Sequence, residues 1–293
     1  MLYNYGMDFK NPLAETFVLN AGLVALMAVQ GDDSTPAEIA RTSFRNNFKE
    51  TTIQADAGLS DYLMRHAHAT PYEFPDATFY MVMPIFVARQ MVRHRTASIN
   101  EESLRYVEPR PEFWIPSIEE CRAQAKSKKQ GSSSDLVQDP EVTREMIRLQ
   151  GEEAHLWYNC LQRQGLANEL CRTVLPVGQY TAWYWKASLR NIFGLLDLRA
   201  QNTDETNHAQ YQIQVYGNAM IEQLRAYFPV LVAFFENYML NAVTFAEDEL
   251  IVLRAIMATL TQDQHVELAR LVNATGWKES RHTEFAQKLK LTH

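Results

Sequence analysis

The sequence predicts an α+β fold: a modest mixed sheet packed with several helices, with extra helices at the C-terminal end. Three observations lead there. Strand-forming residues fill Phe17 to Val29, and Ala77 to Met83 alternates with a period of two. Apolar residues recur at helical spacing from Asp139 to Gly165 and again beyond Asn207. No segment repeats.

Taken in order, residues 1 to 16 show no period and read as an extended start. The strand from Phe17 to Val29 ends at the turn signal Gly31-Asp32-Asp33. Thr35-Pro36-Ala37-Glu38 then opens a helix to about Arg45, with Thr35 as N-cap, proline in the first turn and Glu38 reaching back. A second helix starts at Asp56 and carries Leu59, Tyr62, Leu63 and His66 on one face. Pro71 holds Thr70 out of helical geometry and sets a turn before the strand Ala77–Met83. Pro84 permits a helix through Val92. Three prolines between Pro109 and Pro116 exclude regular helix there. Lysines diluted by glycine and serine make Ala123 to Asp139 a mobile surface loop rather than part of a site.

From Asp139 a long amphipathic helix should carry Val142, Met146, Leu149, Leu156 and Cys160 on one stripe. A short helix reaches Leu175 before Pro176. Thr181 to Ile192 suits strand or helix, and periodicity does not decide. A helix from Asn207 to Tyr227 should stop at Pro229. Ala246–Leu260 and Gln262–Asn273 are further helices, and Ser280 caps a last one.

The 293 residues suffice for one large domain or two small ones, and a net charge of −7 excludes a uniformly basic nucleic-acid surface. Any anionic ligand must be held by a local cluster. Three scattered cysteines, Cys121, Cys160 and Cys171, build neither a disulfide framework nor a zinc site, and point to a reducing, cytoplasmic setting. The longest apolar run, Leu19 to Val29, is too short to span a bilayer.

One stretch supplies the local cluster. Arg89 to Tyr106 holds Arg89, Arg93, Arg95, Arg105 and His94 among Ser98, Asn100 and Ser103, immediately after the apolar run Pro84 to Ala88. Guanidinium forks match phosphate oxygens bidentately, and hydroxyl and amide groups complete such a cradle without adding charge. These residues point to a phosphate or carboxylate pocket. Arg172, inside an apolar run, needs a partner or must reach solvent. In His68-x-Thr70-x-x-Glu73 an imidazole, a hydroxyl and a carboxylate share a turn, which suits contact with a heterocycle and equally suits a simple capping turn.

The order Arg93-His94-Arg95-x-x-Ser98-x-Asn100-Glu101-x-Ser103-x-Arg105-Tyr106 resembles the signature of the flavin-dependent thymidylate synthases, the ThyX family, at every fixed position. Cys171-Arg172-Thr173-Val174-Leu175-Pro176 is similar to that family's Ala-Arg-x-x-Leu-Pro element. Leu198-Arg199 followed by His208-Ala209-Gln210 is similar to its Leu-Arg and His-Ala-Gln segment. The resemblance covers roughly Ala21 to Gln214. It implies a catalytic domain over residues 1–227 with a helical extension, 228–293, packed on it.

The resemblance further implies transfer of a one-carbon unit from 5,10-methylenetetrahydrofolate to C5 of dUMP, reduced by flavin hydride to give dTMP, with NADPH recharging FAD. It assigns dUMP to Gln90, Arg93, Glu101, Glu102, Ser103, Leu104, Arg105, Arg172 and Arg199. FAD falls to Thr70, Glu73, Arg93, His94, Arg95, Glu101, Ser188, Arg190, Gly194 and His208, and the folate and NADPH side to His68 and Tyr106. Arg199 becomes the catalytic residue, a permanent cation facing the pyrimidine carbonyl and favouring ionisation at N3. A homotetramer with sites shared between subunits is implied, with no metal, nucleic acid or membrane.

Three departures stand out: Gly194 replaces an amide or imidazole, Ser188 replaces Asn or Asp, and extra residues lie within Gln201 to Asn207. Ser103 lacks a visible base and is not a nucleophile, and nothing beside Cys171 except Arg172 activates its thiol. The other readings are a related flavoenzyme methylating another uridine nucleotide and a non-catalytic flavin or nucleotide binder. A DNA-binding module fits the charge poorly.

Overall fold

The computed structural model describes residues 12–45, 50–126, 131–203 and 209–289. The chain divides into two compact units, Met1–Ala242 and Val243–His293.

In the first unit β1 (Ala14–Val18) and β2 (Gly22–Gln30) form an antiparallel hairpin. The single strand expected over Phe17 to Val29 is therefore two. The break falls at Leu19, whose φ of 54° is left-handed, a geometry that a leucine does not announce in sequence. A Cβ on Gly22 would meet the Tyr216 hydroxyl at 2.2 Å and the Val18 carbonyl at 2.7 Å, so only glycine fits there.

α1 (Thr35–Arg41) is preceded by Ser34, whose hydroxyl donates to Glu38 at 2.9 Å, while Thr35 Oγ1 instead accepts from the Asp32 amide. The N-cap thus sits one residue earlier than expected. α2 (Ile53–Arg65) starts three residues before Asp56, because Thr52 Oγ1 accepts from the Ala55 amide. A 3-10 turn (Thr70–Glu73) leads into β3 (Asp76–Pro84), followed by α3 (Ile85–Met91) and β4 (Ser98–Glu101). Then come β5 (Arg122–Gln124), β6 (Ser132–Leu136), α4 (Pro140–Arg163) and α5 (Asn168–Cys171). β7 (Tyr180–Ser188) runs straight into α6 (Leu189–Arg199). The undecided stretch Thr181 to Ile192 is therefore strand first and helix second. α7 (Tyr211–Arg225) and α8 (Pro229–Phe235) follow, and a π-helical turn, Glu236–Leu240, extends α8. Pro229 opens α8 as well as closing the preceding segment.

The main sheet has the order β1-β2-β3-β7-β4 and is antiparallel at every pairing, where the sequence suggests a mixed sheet. β3 and β4 run in the same direction but lie on either side of β7, which separates them, so no parallel pair forms among the described residues. β7 buries Trp183 and Trp185 and exposes Tyr184 and Lys186, the alternation of a strand with one face on the core. Phe79 of β3 lies opposite Trp185 in the register, and their rings are 6.4 Å apart. One sheet face packs against α2, α3 and α6–α8, where Phe193 stacks on Phe235 at 4.5 Å. Gln223 of α7 is buried and donates to the Val24 carbonyl and to Thr16 Oγ1, both at 2.9 Å, tying helix to sheet. A smaller cluster on the opposite face unites Leu23, Ala25, Val82 and Tyr180 with Trp114.

α4 departs from expectation in what it buries. Its inward residues are Gly151, Ala154 and Tyr158, whereas the apolar stripe Val142, Met146, Leu149 and Leu156 is exposed. Gly151 lets Phe113 approach, since a Cβ there would lie 2.1 Å from its ring.

The second unit holds α9 (Glu247–Ala258), α10 (Gln262–Ala274) and α11 (Glu279–Leu289). Ser280 lies inside α11 rather than capping it. Neither α9 nor α10 contains a buried residue. No helix among the described residues is long and apolar enough to cross a membrane.

Candidate active site

Strand β4 brings the basic stretch to the edge of the sheet, and the residues beyond its two ends form two groups. Beyond its C-terminal end, Ser103 opens a turn: its carbonyl accepts from the Tyr106 and Val107 amides, and its Oγ from the Arg105 amide at 3.4 Å. Leu104 is half-buried in that turn and Tyr106 is exposed, with the Arg105 guanidinium 5.7 Å from its ring centroid. Arg105 pairs with the Glu169 carboxylate at 3.2 Å, and Arg172 Nε donates to the Glu169 carbonyl at 3.2 Å. Two of the four arginines assigned to the nucleotide therefore converge on one residue, which the sequence reading did not single out. Its signal was an acid three positions before Arg172 on a helical turn.

Another of them, Arg199, ends α6 and meets the turn after α3. Its Nε donates to His94 Nε2 at 3.4 Å. Burial, and then the Arg199 charge, lower the His94 pKa below its ordinary 6.5, so the ring is neutral at pH 7 and accepts with its own proton on Nδ1. Arg199 also lines a cleft of about 470 Å³ with Gln90, Trp114, Glu120, Gln124 and Gln212. An amide chain crosses this cleft: Gln90 donates to Gln210 at 2.6 Å, Gln210 to Gln212 at 2.9 Å, and Gln212 to Glu120 at 2.8 Å. Ala123, Gln124, Gly131 and Ser132 of the β5–β6 hairpin form another wall. The stretch read as a surface loop outside the site is thus part of it, although residues 127–130 lie outside those described. Pairing of β5 with β6 was hidden because serine and lysine dilute the strand pattern.

His94, the partner of Arg199, lines a second cavity of about 520 Å³. It is lined by His68, Tyr72, His94, Thr96, Arg190 and Gly194, and by Tyr238 and Met239 of the π-helical turn. Arg190 forms an ion pair with Glu73. A Cβ on Gly194 would meet nothing within 4 Å. Ser188 Oγ, at the start of α6, is buried with no hydrogen-bond partner among the described residues. A cavity mixing imidazole, guanidinium and apolar walls fits a large heterocycle with polar edges. His68 is exposed, 6.0 Å from the Tyr62 ring, and Thr70 is exposed at the start of its 3-10 turn.

The remaining assigned residues divide. Arg93 and Arg95 are exposed in the turn after α3. Glu101 accepts from Thr181 Oγ1 at 2.6 Å. Glu102 points to the opposite side, where Arg110 holds its carboxylate bidentately at 2.9–3.1 Å and also reaches the Tyr80 hydroxyl. That carboxylate is engaged, and adjacent residues at a strand end face opposite ways. His208 lies outside the described residues, as does most of the loop from Gln201 to Asn207.

The architecture is that of a helix-clad antiparallel α+β protein with guanidinium groups gathered at a sheet edge and a cavity of heterocycle size. The family model for the thymidylate synthase complementing protein matches residues 23–230. The chain is 40% identical over 252 residues to the flavin-dependent thymidylate synthase of Gluconobacter oxydans, covering 84% of this chain and 81% of that one. It is 39% identical over 240 residues to the one of Thermus thermophilus, covering 82% and 85%. Among solved structures, the UMP/dUMP methylase PolB of Streptomyces cacaoi bound with 5-Br dUMP superposes with a TM-score of 0.70 at 28% identity, covering 77% of this chain and 99% of that one. The chain belongs to the flavin-dependent thymidylate synthase family.

Proposed function

We propose that this protein methylates dUMP at C5 to give dTMP, with FAD as its flavin, 5,10-methylenetetrahydrofolate as carbon donor and NADPH as reductant. The observation that carries the reading is the convergence of Arg105 and Arg172 on one residue, Glu169, through its carboxylate and its backbone carbonyl, together with the complete Arg-His-Arg signature. Two guanidinium groups gathered around one residue suit the dianionic phosphate of a nucleoside monophosphate.

In this reading Arg105, Arg172 and Ser103 hold the phosphate end. Arg199, with Gln90 beside it, holds the pyrimidine. Arg199 stays charged at any working pH, so it stabilises negative charge developing on the ring, and C5 becomes electron-rich enough to attack the one-carbon unit. Neutral His94 keeps the guanidinium oriented without adding a competing positive charge. Ser188, Arg190, Glu73, Thr70 and His94 hold the flavin, with Gly194 leaving room at the wall. When bound, the flavin supplies the hydride that completes the methyl group. His68, and Tyr106 from a neighbouring subunit, face the folate side.

The two arginine groups flank β4 at opposite ends, and an exposed apolar stripe runs along α4. Both features support an assembly, in our reading a homotetramer, in which one chain's Arg105 group and another's Arg199 grip the same nucleotide.

Methylation of UMP is the second reading, favoured by the structural likeness to a UMP/dUMP methylase. Incubating the flavin-loaded protein with NADPH, methylenetetrahydrofolate and either dUMP or UMP separates them. The reading requires dTMP from dUMP; a methylated product from UMP alone refutes it.

A further inference from the structure

Glu169 occupies the middle of the proposed phosphate site. Its carboxylate lies 3.2 Å from Arg105 Nε, and its backbone carbonyl, by accepting from Arg172 Nε at 3.2 Å, holds the second guanidinium beside it. The residue is fixed in a short helical segment whose neighbour, Asn168, accepts from Gln162 of α4. Arg105 and Glu169 are each 52% exposed, so the pair is wetted and breakable rather than a buried structural bridge.

We infer that Glu169 is a carboxylate stand-in for the nucleotide phosphate: it holds Arg105 when no nucleotide is bound and is displaced by a phosphate ester. This rests on the reading that Arg105 and Arg172 bind that phosphate. The physical reason is selectivity. Two unpaired guanidinium groups at a surface attract any abundant small anion. A tethered carboxylate raises the threshold, so that only a ligand with further contacts, to the pyrimidine and sugar, takes its place. Glu169 is therefore a specificity residue acting through Arg105, and it touches no reacting atom.

The test is equilibrium binding of dUMP, and its competition by inorganic phosphate, to flavin-loaded wild-type protein and to Glu169→Gln, Arg105→Ala, Arg172→Ala and Glu169→Gln/Arg105→Ala variants. Flavin absorbance and melting temperature report on folding. Removing the competing charge of an exposed pair should tighten dUMP about threefold and strengthen phosphate competition at least as much. The same exchange in the Arg105→Ala background should change nothing. Unchanged or weaker dUMP binding by folded Glu169→Gln overturns the inference while leaving the phosphate site standing, provided the single arginine variants bind dUMP more weakly. If those variants bind dUMP as wild type does, the phosphate reading falls and the inference falls with it.

Discussion

The Arg199 guanidinium donates to Nε2 of His94 at 3.4 Å, and that contact joins a residue lining the Gln90 cleft to one lining the cavity beside Gly194. It requires a neutral imidazole. An unfolded histidine takes up its proton near pH 6.5, whereas folded His94, buried and facing Arg199, resists until lower pH. Between those two values the unfolded state binds more protons, so stability falls as pH drops below about 6.5 and levels off once folded His94 is itself protonated. Denaturant unfolding between about pH 7.5 and 5.5 should show a weaker pH dependence in His94→Gln than in wild type. Equal dependences would mean that His94 contributes nothing to it.

Arg199→Ala should keep flavin absorbance and abolish dTMP formation, a loss of at least about a hundredfold for a charge-stabilising group. Near-normal turnover would remove Arg199 from the chemistry.

Much of this geometry was legible in sequence. The strand Ala77–Met83 reads from its alternation, and α4 starts where Asp139 and Pro140 announce it, with Asp139 Oδ1 accepting from the Val142 amide. The basic stretch carried its own chemistry in residue type. What stayed hidden depended on tertiary partners. β4 is a four-residue edge strand with no buried position and owes its existence to pairing with β7. Glu169 gains meaning only when the turn carrying Arg105 folds beside it. The exposed stripe of α4 reads in sequence as a core face, because periodicity shows amphipathicity and not which partner covers it.

Two glycines should respond oppositely to alanine. Gly194 sits inside α6 facing open space, so Gly194→Ala should stabilise the protein by about 0.5–1 kcal/mol through helix propensity. Gly217 of α7 lies against Ala200, and a Cβ added to Gly217 would sit only 3.0 Å from the Ala200 Cα. Gly217→Ala should cost about 1–3 kcal/mol through overpacking. Denaturant midpoints check both, and destabilisation by Gly194→Ala would show that its open space is closed by something else in solution.

Met146→Glu combined with Leu149→Glu places charge on the exposed stripe of α4. If the proposed tetramer is built on this stripe, sedimentation should show the variant as smaller species than wild type, because an apolar interface does not accept unpaired carboxylates. An unchanged oligomer would move the interface elsewhere.

Mixing inactive Arg105→Ala with inactive Arg199→Ala protein under conditions of subunit exchange should restore activity, since some sites then receive both intact groups. Persistent inactivity at every ratio, with exchange verified, would mean that one chain supplies both.

The most direct test is a single anaerobic turnover. Flavin-loaded protein is reduced, then given dUMP and methylenetetrahydrofolate without oxygen, and flavin absorbance and dTMP are followed together. The account predicts reoxidation with dTMP formed in step with the flavin consumed; flavin that stays reduced, or reoxidation without dTMP, would contradict it.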